Sequence, residues 1–306
     1  MSKHVSVMPS ECLELLNVKE DGIYVDGTLG RGGHSKLILD RLTSGKLYCF
    51  DLDQEAIKES KENLKNYCNV EFIHDNFKNM SKYISNVDGI LLDLGVSSPQ
   101  FDTPDRGFSY RNDGPLDMRM NKEDGITCEE VINNYSLEEL TYLFKTYGEE
   151  KFAYKIAYNI VKQRQVKPIK TTFELVDIIK KSKPAKELAK KGHPAKQCFQ
   201  ALRIEVNKEL DSLKEFLDSF DSILNENGRV VIITFQSLED KLVKAKFKEL
   251  SYIEVDKRIA LLPDQIEKPK YKLLNHKVIV ASEDELNINN RSKSAKLRGI
   301  EKVVSW

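Results

Sequence analysis

Acidic residues recur in this chain where short apolar segments end. Asp26, Asp51 and Asp93 each close a run of β-favouring residues, and Asp75 lies just past another. If those runs are parallel strands, their carboxyl ends lie on one edge of a sheet, where open α/β sheets bind ligands. A set of carboxylates on one edge therefore predicts a polar ligand. Asp51 lies about 20 residues beyond a glycine-rich segment, the distance at which a carboxylate accepts hydrogen bonds from ribose hydroxyls.

The glycine-rich segment is Tyr24–Ser35, which reads YVDGTLGRGGHS. A buried strand, a turn with few Cβ atoms and a helix are expected in succession, which is the entry of a Rossmann-like unit. The dinucleotide pattern GxGxxG is broken, because Ser35 stands where its last glycine should be. The spacing Asp26-x-x-x-Gly30-x-Gly32 is instead typical of sites for S-adenosylmethionine (SAM), which has no phosphates to cradle. A tight turn without a ligand is the alternative.

Strands and helices alternate around these acids. Apolar, β-favouring runs predict strands, and apolar residues at helical spacing predict the helices between them. Asp53 fits the N-cap of the helix after the second strand better than Asp51 does. The predicted strands are 23–26, 46–51, 70–73, 87–93 and 229–235, with a late strand at 277–281. This order predicts an α/β, Rossmann-like fold.

A helical segment interrupts the α/β pattern. No strand is predicted between residues 120 and 229, and an apolar stripe over 199–217 predicts one long helix that returns the chain to the sheet. Two capping boxes open helical runs in this segment, Ser136-x-x-Glu139 and Thr171-x-x-Glu174. We therefore predict an inserted all-helical domain at 108–207, within an α/β domain formed by 1–107 and 208–306.

The formal net charge is zero, but the charges are unevenly distributed. Residues 151–200 hold thirteen Lys and Arg against three acids, a net charge of +10. A segment this basic predicts a polyanionic partner, most simply a nucleic acid, although a solvated lysine-rich helix face is the alternative. The basic tail 290–298 is either a second RNA contact or a solvated end.

The cysteines and the hydropathy bear on the compartment. Cys12, Cys49, Cys68, Cys128 and Cys198 are odd in number and contain no CxxC, which favours reduced thiols and argues against a zinc site. No apolar run reaches the length of about 18 residues that a membrane span needs. The N-terminus also lacks the apolar core of a signal peptide. We therefore expect a cytoplasmic protein with no membrane contact.

Several long, specific motifs run across the whole chain. They are YVDGTLGRGGHS at 24–35, DGILLDLGVSSPQ at 88–100, RGFSYRNDGPLDMRM at 106–120, YGEEKFAYKIA at 147–157, HPAKQCFQALRIEVNKEL at 193–210 and RSKSAKLR at 291–298. Together they resemble one family, the RsmH (MraW) methyltransferases, which modify N4 of a cytidine in bacterial 16S ribosomal RNA. The resemblance implies a class I SAM-dependent methyltransferase domain with an inserted helical domain. It also implies a cytidine of the decoding centre as substrate, in an assembled or late-stage small (30S) subunit.

The resemblance also implies a cofactor site. Its residues are Gly32, Gly33 and His34 in the glycine turn, Asp51 after the second strand, Phe77 after the third, Asp93 after the fourth, and Gln100 in the following loop. His34 and Gln100 come from the resemblance alone, whereas most of the others stand out from the residues themselves.

The catalytic residues are less well defined. The exocyclic amine of cytosine is a poor nucleophile, and hydrogen-bond acceptors on its N–H groups would localise the lone pair. Asp93, Ser98 and Pro99 stand where such acceptors are expected, and no metal is needed. Related base methyltransferases have Asp/Ser-Pro-Pro-Tyr at this place, where this chain has Ser97–Phe101. Gln236 stands where the family usually has His, and Lys241 where it has Arg.

Other functions stay open on sequence alone. A SAM-dependent methyltransferase of another RNA or of DNA would share these motifs, and a non-catalytic RNA-binding assembly factor could retain the fold. The intact glycines and acids argue against the assembly factor, and the broken GxGxxG argues against a nicotinamide dehydrogenase. Whether the chain forms a homodimer is also open.

Overall fold

A mixed sheet forms the centre of the α/β part of the protein. The computed structural model describes residues 6–253 and 268–303. The strands are β1 (Ile23–Asp26), β2 (Lys46–Asp51), β3 (Val70–His74), β4 (Val87–Asp93), β5 (Leu224–Thr234), β6 (Tyr271–Leu273) and β7 (Lys296–Lys302). They lie in the order β3-β2-β1-β4-β5-β7-β6, and β1 to β5 are parallel while β6 and β7 are antiparallel. The sheet therefore has its topological switch point between β1 and β4, and the predicted Rossmann-like fold is confirmed.

Helices surround the sheet and form the inserted segment. In chain order they are α1 (Pro9–Leu16), α2 (Gly33–Leu39), α3 (Gln54–Asn63), α4 (Ser98–Asp102), α5 (Cys128–Asn134), α6 (Leu137–Thr146), α7 (Ala153–Val166), α8 (Thr172–Ser182), α9 (Ala185–Leu188), α10 (Lys196–Asn207), α11 (Glu209–Ser219), α12 (Ser237–Ser251) and α13 (Glu283–Ile288). None of the helices in the described ranges is long and apolar enough to cross a membrane.

The chain divides into two compact units. Unit 1 comprises residues 1–95 and 211–306, and unit 2 comprises residues 96–210. The sheet of unit 1 is buried on both faces, since alternate residues of β4 and β5 belong to two separate apolar clusters. Unit 2 is organised around its own apolar core, drawn mainly from α5 to α8 and α10. The assignment of residues 108–207 to an inserted functional domain stays a prediction.

Local helix signals in unit 2 are confirmed. Ser136 and Thr171 cap α6 and α8, and each accepts a hydrogen bond from the backbone N–H three residues on. The predicted long helix at 199–217 is wrong in one respect. The chain breaks it at Lys208, whose φ of 49° is left-handed, and α10 and α11 lie on either side.

The predicted late strand at 277–281 is wrong. Ile279 contributes only an isolated antiparallel bridge to Leu297, and the late strand that pairs with β5 is β7. The basic residues of β7 are not a solvated tail. Arg298 binds Asp240 of α12 through Nε and Oδ1 at 2.8 Å. Tertiary ion pairs of this kind allow a charged sequence to occupy the sheet, which hydropathy alone does not indicate.

Candidate functional site

The turn between β1 and α2 brings the backbone to the carboxyl end of the sheet. Gly30 and Gly32 both have positive φ, +52° and +77°. A Cβ on Gly30 would meet nothing closer than the Thr28 carbonyl oxygen at 3.9 Å, whereas one on Gly32 would lie 3.1 Å from Leu64 Cδ1. Gly32 therefore allows the turn to pack against neighbouring side chains. Gly30 instead leaves space beside the backbone that a ligand can use.

The side chain of Asp26 stabilises this turn through two hydrogen bonds. Its Oδ2 accepts a hydrogen bond from Ser35 Oγ at 2.6 Å, and its Oδ1 accepts one from the backbone N–H of Thr28 at 3.1 Å. The side chain is buried, and burial raises its pKa above the ordinary value while those hydrogen bonds limit the rise. Asp26 thus holds the turn and the first residues of α2 in place.

Asp51 at the end of β2 connects the turn to the next helix. Its Oδ2 accepts the backbone N–H of Gly30 and its Oδ1 that of Asp53, both at 2.8 Å. Burial raises the pKa of the Asp51 carboxyl to about 7 despite the two donors. Asp53 is the N-cap of α3, as predicted, so Asp51 is not needed for that role. In its ionised form, this rigidly held carboxylate beside an open glycine can accept hydrogen bonds from hydroxyl groups.

His34 and Asp93 face each other at the switch point. His34 is 8% exposed, and its Nε2 lies 3.6 Å from Asp93 Oδ2, beyond hydrogen-bond distance. In the described part of the chain this nitrogen has no hydrogen-bond partner. Burial lowers the pKa of His34, but the nearby carboxylates of Asp93 and Asp26 more than offset that effect and leave it raised. The pair thus places an unpartnered ring nitrogen beside a carboxylate group.

Thr28 is a site residue that the sequence analysis did not identify. Its hydroxyl oxygen accepts the backbone N–H of Asp93 at 2.6 Å, and its own N–H donates to Asp26. Thr28 therefore ties the end of β4 to the turn after β1. The available signal was a hydroxyl residue two positions after a strand-ending Asp, a position that favours side-chain to backbone hydrogen bonds.

Phe77 and Asp75 lie beyond β3. The Phe77 ring is half-buried and packs edge-on against Phe216, with ring centroids 5.8 Å apart. The Asp75 carboxylate is already engaged by the Asn79 amide and the Tyr83 hydroxyl, each at 2.8 Å. Burial raises the pKa of Asp75, but these donors outweigh it and hold the pKa below the usual range. Asp75 is therefore a local structural acceptor, and Phe77 stays a cofactor-site candidate.

The remaining predicted residues belong to unit 2. Ser98 and Pro99 begin α4, and Gln100 is buried in its first turn. Gln100 Oε1 accepts the backbone N–H of Ser97 at 3.1 Å and so closes a capping box. The structure thus gives Gln100 a structural hydrogen bond of its own. Its cofactor role, like the catalytic roles of Ser98 and Pro99, stays a prediction.

Gln236 precedes α12 at the carboxyl end of β5. Its Nε2 donates to Glu239 Oε1 at 2.7 Å, and Glu239 Oε2 accepts the backbone N–H of Phe235 at 2.9 Å. The buried Oε1 of Gln236 accepts no hydrogen bond from any of the described residues. The side chain thus supports the start of α12 and leaves one acceptor unused.

These features of unit 1 fit SAM. A ribose can donate to Asp51, the open side of Gly30 admits a ligand against the backbone, and the unpartnered His34 nitrogen can meet a carboxylate. Within the described ranges no group of three His, Cys, Asp or Glu is arranged to hold a metal ion.

Comparison with solved structures finds remote matches over nearly the full length. A putative rRNA-methylase from Clostridium thermocellum matches with 13% identity, 99% of each chain covered and a TM-score of 0.45. An rRNA methylase from Streptococcus thermophilus matches with 13% identity, 97% of this chain and 94% of that chain covered, and a TM-score of 0.39. A putative methyltransferase from Streptococcus mutans, in complex with SAH, matches with 13% identity, 98% and 99% covered, and a TM-score of 0.42.

Comparison with family models gives the assignment, because the model of the MraW methylase family matches residues 1–303. The resemblance found in the sequence motifs is thereby confirmed. This chain belongs to the MraW methylase family and is a SAM-dependent methyltransferase.

Proposed function

We propose that this protein transfers a methyl group from SAM to N4 of a cytidine in the decoding centre of 16S ribosomal RNA. The observation that carries the proposal is the acidic edge at the switch point, where Asp51 and Asp93 retain acceptor capacity beside the open glycine turn. The motifs shared with the family indicate which base and which RNA are the substrate. A ribosomal substrate would also place the enzyme in the cytoplasm.

The chain's own residues divide the work of binding and transfer. SAM supplies a methyl group on a sulfonium, which is already activated, so the protein mainly has to align the reacting atoms. Asp51 would accept hydrogen bonds from the ribose hydroxyls, Phe77 would contact the adenine, and His34 would donate to the methionine carboxylate. Gly32 and Gly33 would shape the turn around the cofactor.

Asp93 has two candidate roles. As a cofactor residue it would accept from the methionine amine; as a catalytic residue it would accept from the target amine and localise its lone pair. Ser98 and Pro99 follow it closely in sequence and would add acceptors for the same amine, with Gln100 beside them. Asp93 Oδ1 already accepts the N–H of Gly95 at 3.2 Å, which orients the carboxylate for either role.

The inserted segment, predicted as 108–207, would recognise the RNA. Its excess of positive charge matches the phosphate backbone, and each neutralised phosphate steepens the dependence of affinity on salt. We propose the assembled or late-stage 30S subunit as the substrate.

The test is methyl transfer from labelled SAM to 30S subunits that lack this modification, followed by nucleoside analysis. N4-methylcytidine is the expected product, and another methylated nucleoside would overturn the assignment of the base. Asp93→Asn separates the two roles of Asp93. A weaker affinity for SAM indicates cofactor binding, whereas a lower kcat with an unchanged KM for SAM indicates catalysis.

Asp88→Asn is the matched control, because Asp88 lies at the opposite end of the same strand. Its carboxylate accepts the Ile23 N–H at 2.8 Å and the Asn225 amide at 3.0 Å. We expect this variant to lose some stability while its folded fraction binds SAM as the wild type does. If wild-type protein binds SAM but modifies neither 30S subunits nor free 16S RNA, the proposed function is wrong.

A further inference from the structure

Helix α7 has one face in the core of unit 2 and one face in solvent. Ala153, Ile156, Ala157 and Ile160 are fully buried or nearly so. This stripe recurs every three or four residues and explains why the segment is helical. The opposite face needs a separate explanation, because its composition is unusual for solvated helix surface.

The solvent face of α7 exposes two tyrosines one helical turn apart. Tyr154 is 62% exposed and Tyr158 is 49% exposed. Their rings lie nearly parallel, with an interplanar angle of 23° and centroids 6.5 Å apart. Large aromatic side chains that are exposed together mark an interaction surface more often than isolated ones do.

Lysines share this face. Lys155 and Lys162 are exposed at helical positions that flank the tyrosines, and Lys151 lies just before the helix. In the part of the chain that the structure describes, none of these three lysines forms an ion pair. The nearby acid Glu150 is already engaged, because its carboxylate binds the buried Lys183 ammonium at 2.6 Å. Lys151 also lies close enough to Glu187 to help lower the pKa of that carboxyl. The face thus combines aromatic rings with an excess of positive charge.

We propose that this surface, Tyr154 and Tyr158 with Lys151, Lys155 and Lys162, binds a single-stranded segment of the RNA substrate. Two bases stack on the tyrosine rings while the lysines contact the adjacent phosphates. The proposal rests on the proposed function, since that function supplies an RNA substrate, and it adds where unpaired nucleotides are held outside the cofactor site.

Single-stranded RNA fits this face better than a protein does. Sites for single strands combine aromatic rings, on which any base can stack, with basic side chains that follow the backbone. The cores of protein–protein interfaces are depleted in lysine, whereas here lysines lie among the aromatic residues. A second copy of this chain would also bring the same positive charges together.

The test measures binding of a fluorescent 12-nucleotide single-stranded RNA to the full-length chain by anisotropy at several salt concentrations. We expect Tyr154→Ala and Tyr158→Ala each to weaken binding by about fivefold or more, with an unchanged salt slope. Tyr154→Trp should retain affinity, because it keeps the stacking surface. Lys155→Gln and Lys162→Gln should each reduce the slope of log affinity against log salt by about 0.7.

Tyr252→Ala is the matched control, since Tyr252 is 62% exposed in unit 1. RNA affinity unchanged in the tyrosine variants would overturn the proposal. So would an alanine variant that changes only the oligomeric state, which would assign the face to a contact between copies. Methyl transfer is measured separately. If the wild type methylates RNA but the tyrosine variants bind RNA normally, the proposed surface is wrong while the proposed function stands.

Discussion

The partly buried carboxyl of Asp51 predicts that nucleoside binding depends on pH. Its pKa is about 7, because burial penalises the charged form. Ribose hydroxyls donate hydrogen bonds and therefore stabilise the carboxylate, so the ligand binds the ionised form preferentially. A ligand that favours the ionised form lowers the pKa in the complex, and its affinity must rise with pH through the pKa of the free protein.

The size of the effect follows from that pKa. With a pKa of about 7, roughly one Asp51 in eleven is ionised at pH 6 and about ten in eleven at pH 8. If only the carboxylate form binds, the affinity should increase about tenfold between these two pH values. The gain is present above pH 7 and is lost as pH falls through 7.

The assay should isolate the ribose contact. SAM has an α-amino group that titrates near pH 8, so its own protonation would overlap with that of the site. 5′-Methylthioadenosine retains the adenine and the ribose but lacks the amino acid, and calorimetric titration with it from pH 6 to pH 8 avoids this overlap. It also removes the contact proposed for His34.

Two variants define the outcome. Asp51→Asn cannot ionise, so its affinity should be lower at pH 8 and nearly independent of pH. His34→Gln should keep the wild-type slope, because His34 lies on the methionine side of the proposed site. A wild-type affinity that is flat or falls with pH, or the same slope in Asp51→Asn, would refute the assignment of Asp51 to the ribose.

Three further predictions concern the glycine turn, the break between α10 and α11, and the ion pair of β7. Gly30→Ala and Gly32→Ala should both lose stability, since both positions have a positive φ, but Gly32→Ala should lose more because its Cβ also meets Leu64. Gly30→Ala should weaken SAM binding more, because its Cβ enters the open space beside the turn; calorimetry and thermal melts separate the two effects. Lys208→Gly should stabilise the protein by about 0.5–1 kcal/mol in denaturant titrations, since a left-handed φ costs a residue with a Cβ. Arg298→Met should destabilise it by about 2 kcal/mol at pH 7. Arg298 and Lys296 together depress the pKa of Asp240 although burial raises it, so their contribution is lost as pH falls below 4 and the effect of Arg298→Met should shrink there.

Four of the five parallel strands could be predicted closely from sequence because each carries its signal locally, whereas β5 was predicted from 229 and begins at Leu224. β2 and β4 were predicted at their observed bounds, since each is an apolar run that an Asp ends. β7 could not be predicted in this way. Its Arg298 and Glu301 fit into the sheet only because Asp240 and Arg229, remote in sequence, neutralise them. The break at Lys208 could not be predicted either, because the apolar stripe that predicts a helix continues across it.

The candidate site likewise has residues that could be predicted from sequence and residues that could not. Asp51 and Asp93 were predictable, because strand ends in an α/β sheet meet at one edge. The roles of Thr28 and Ser35 were not, since a hydroxyl can bond to many neighbours and only the folded turn selects one. The raised pKa of Asp51 could not be predicted either, because it depends on how far the folded chain buries the carboxyl group.

Gln236 shows how a departure from the family pattern can preserve structure and change chemistry. Its amide nitrogen donates to Glu239, and a histidine at the same position could make that bond with one ring nitrogen. The start of α12 is thus supported by either residue. A histidine can also hold and release a proton near neutral pH, whereas an amide cannot. If that position handles a proton in relatives, Gln236→His should retain the wild-type melting temperature and add a new ionisation to the pH profile of methyl transfer. A profile identical to wild type would limit position 236 to supporting the helix.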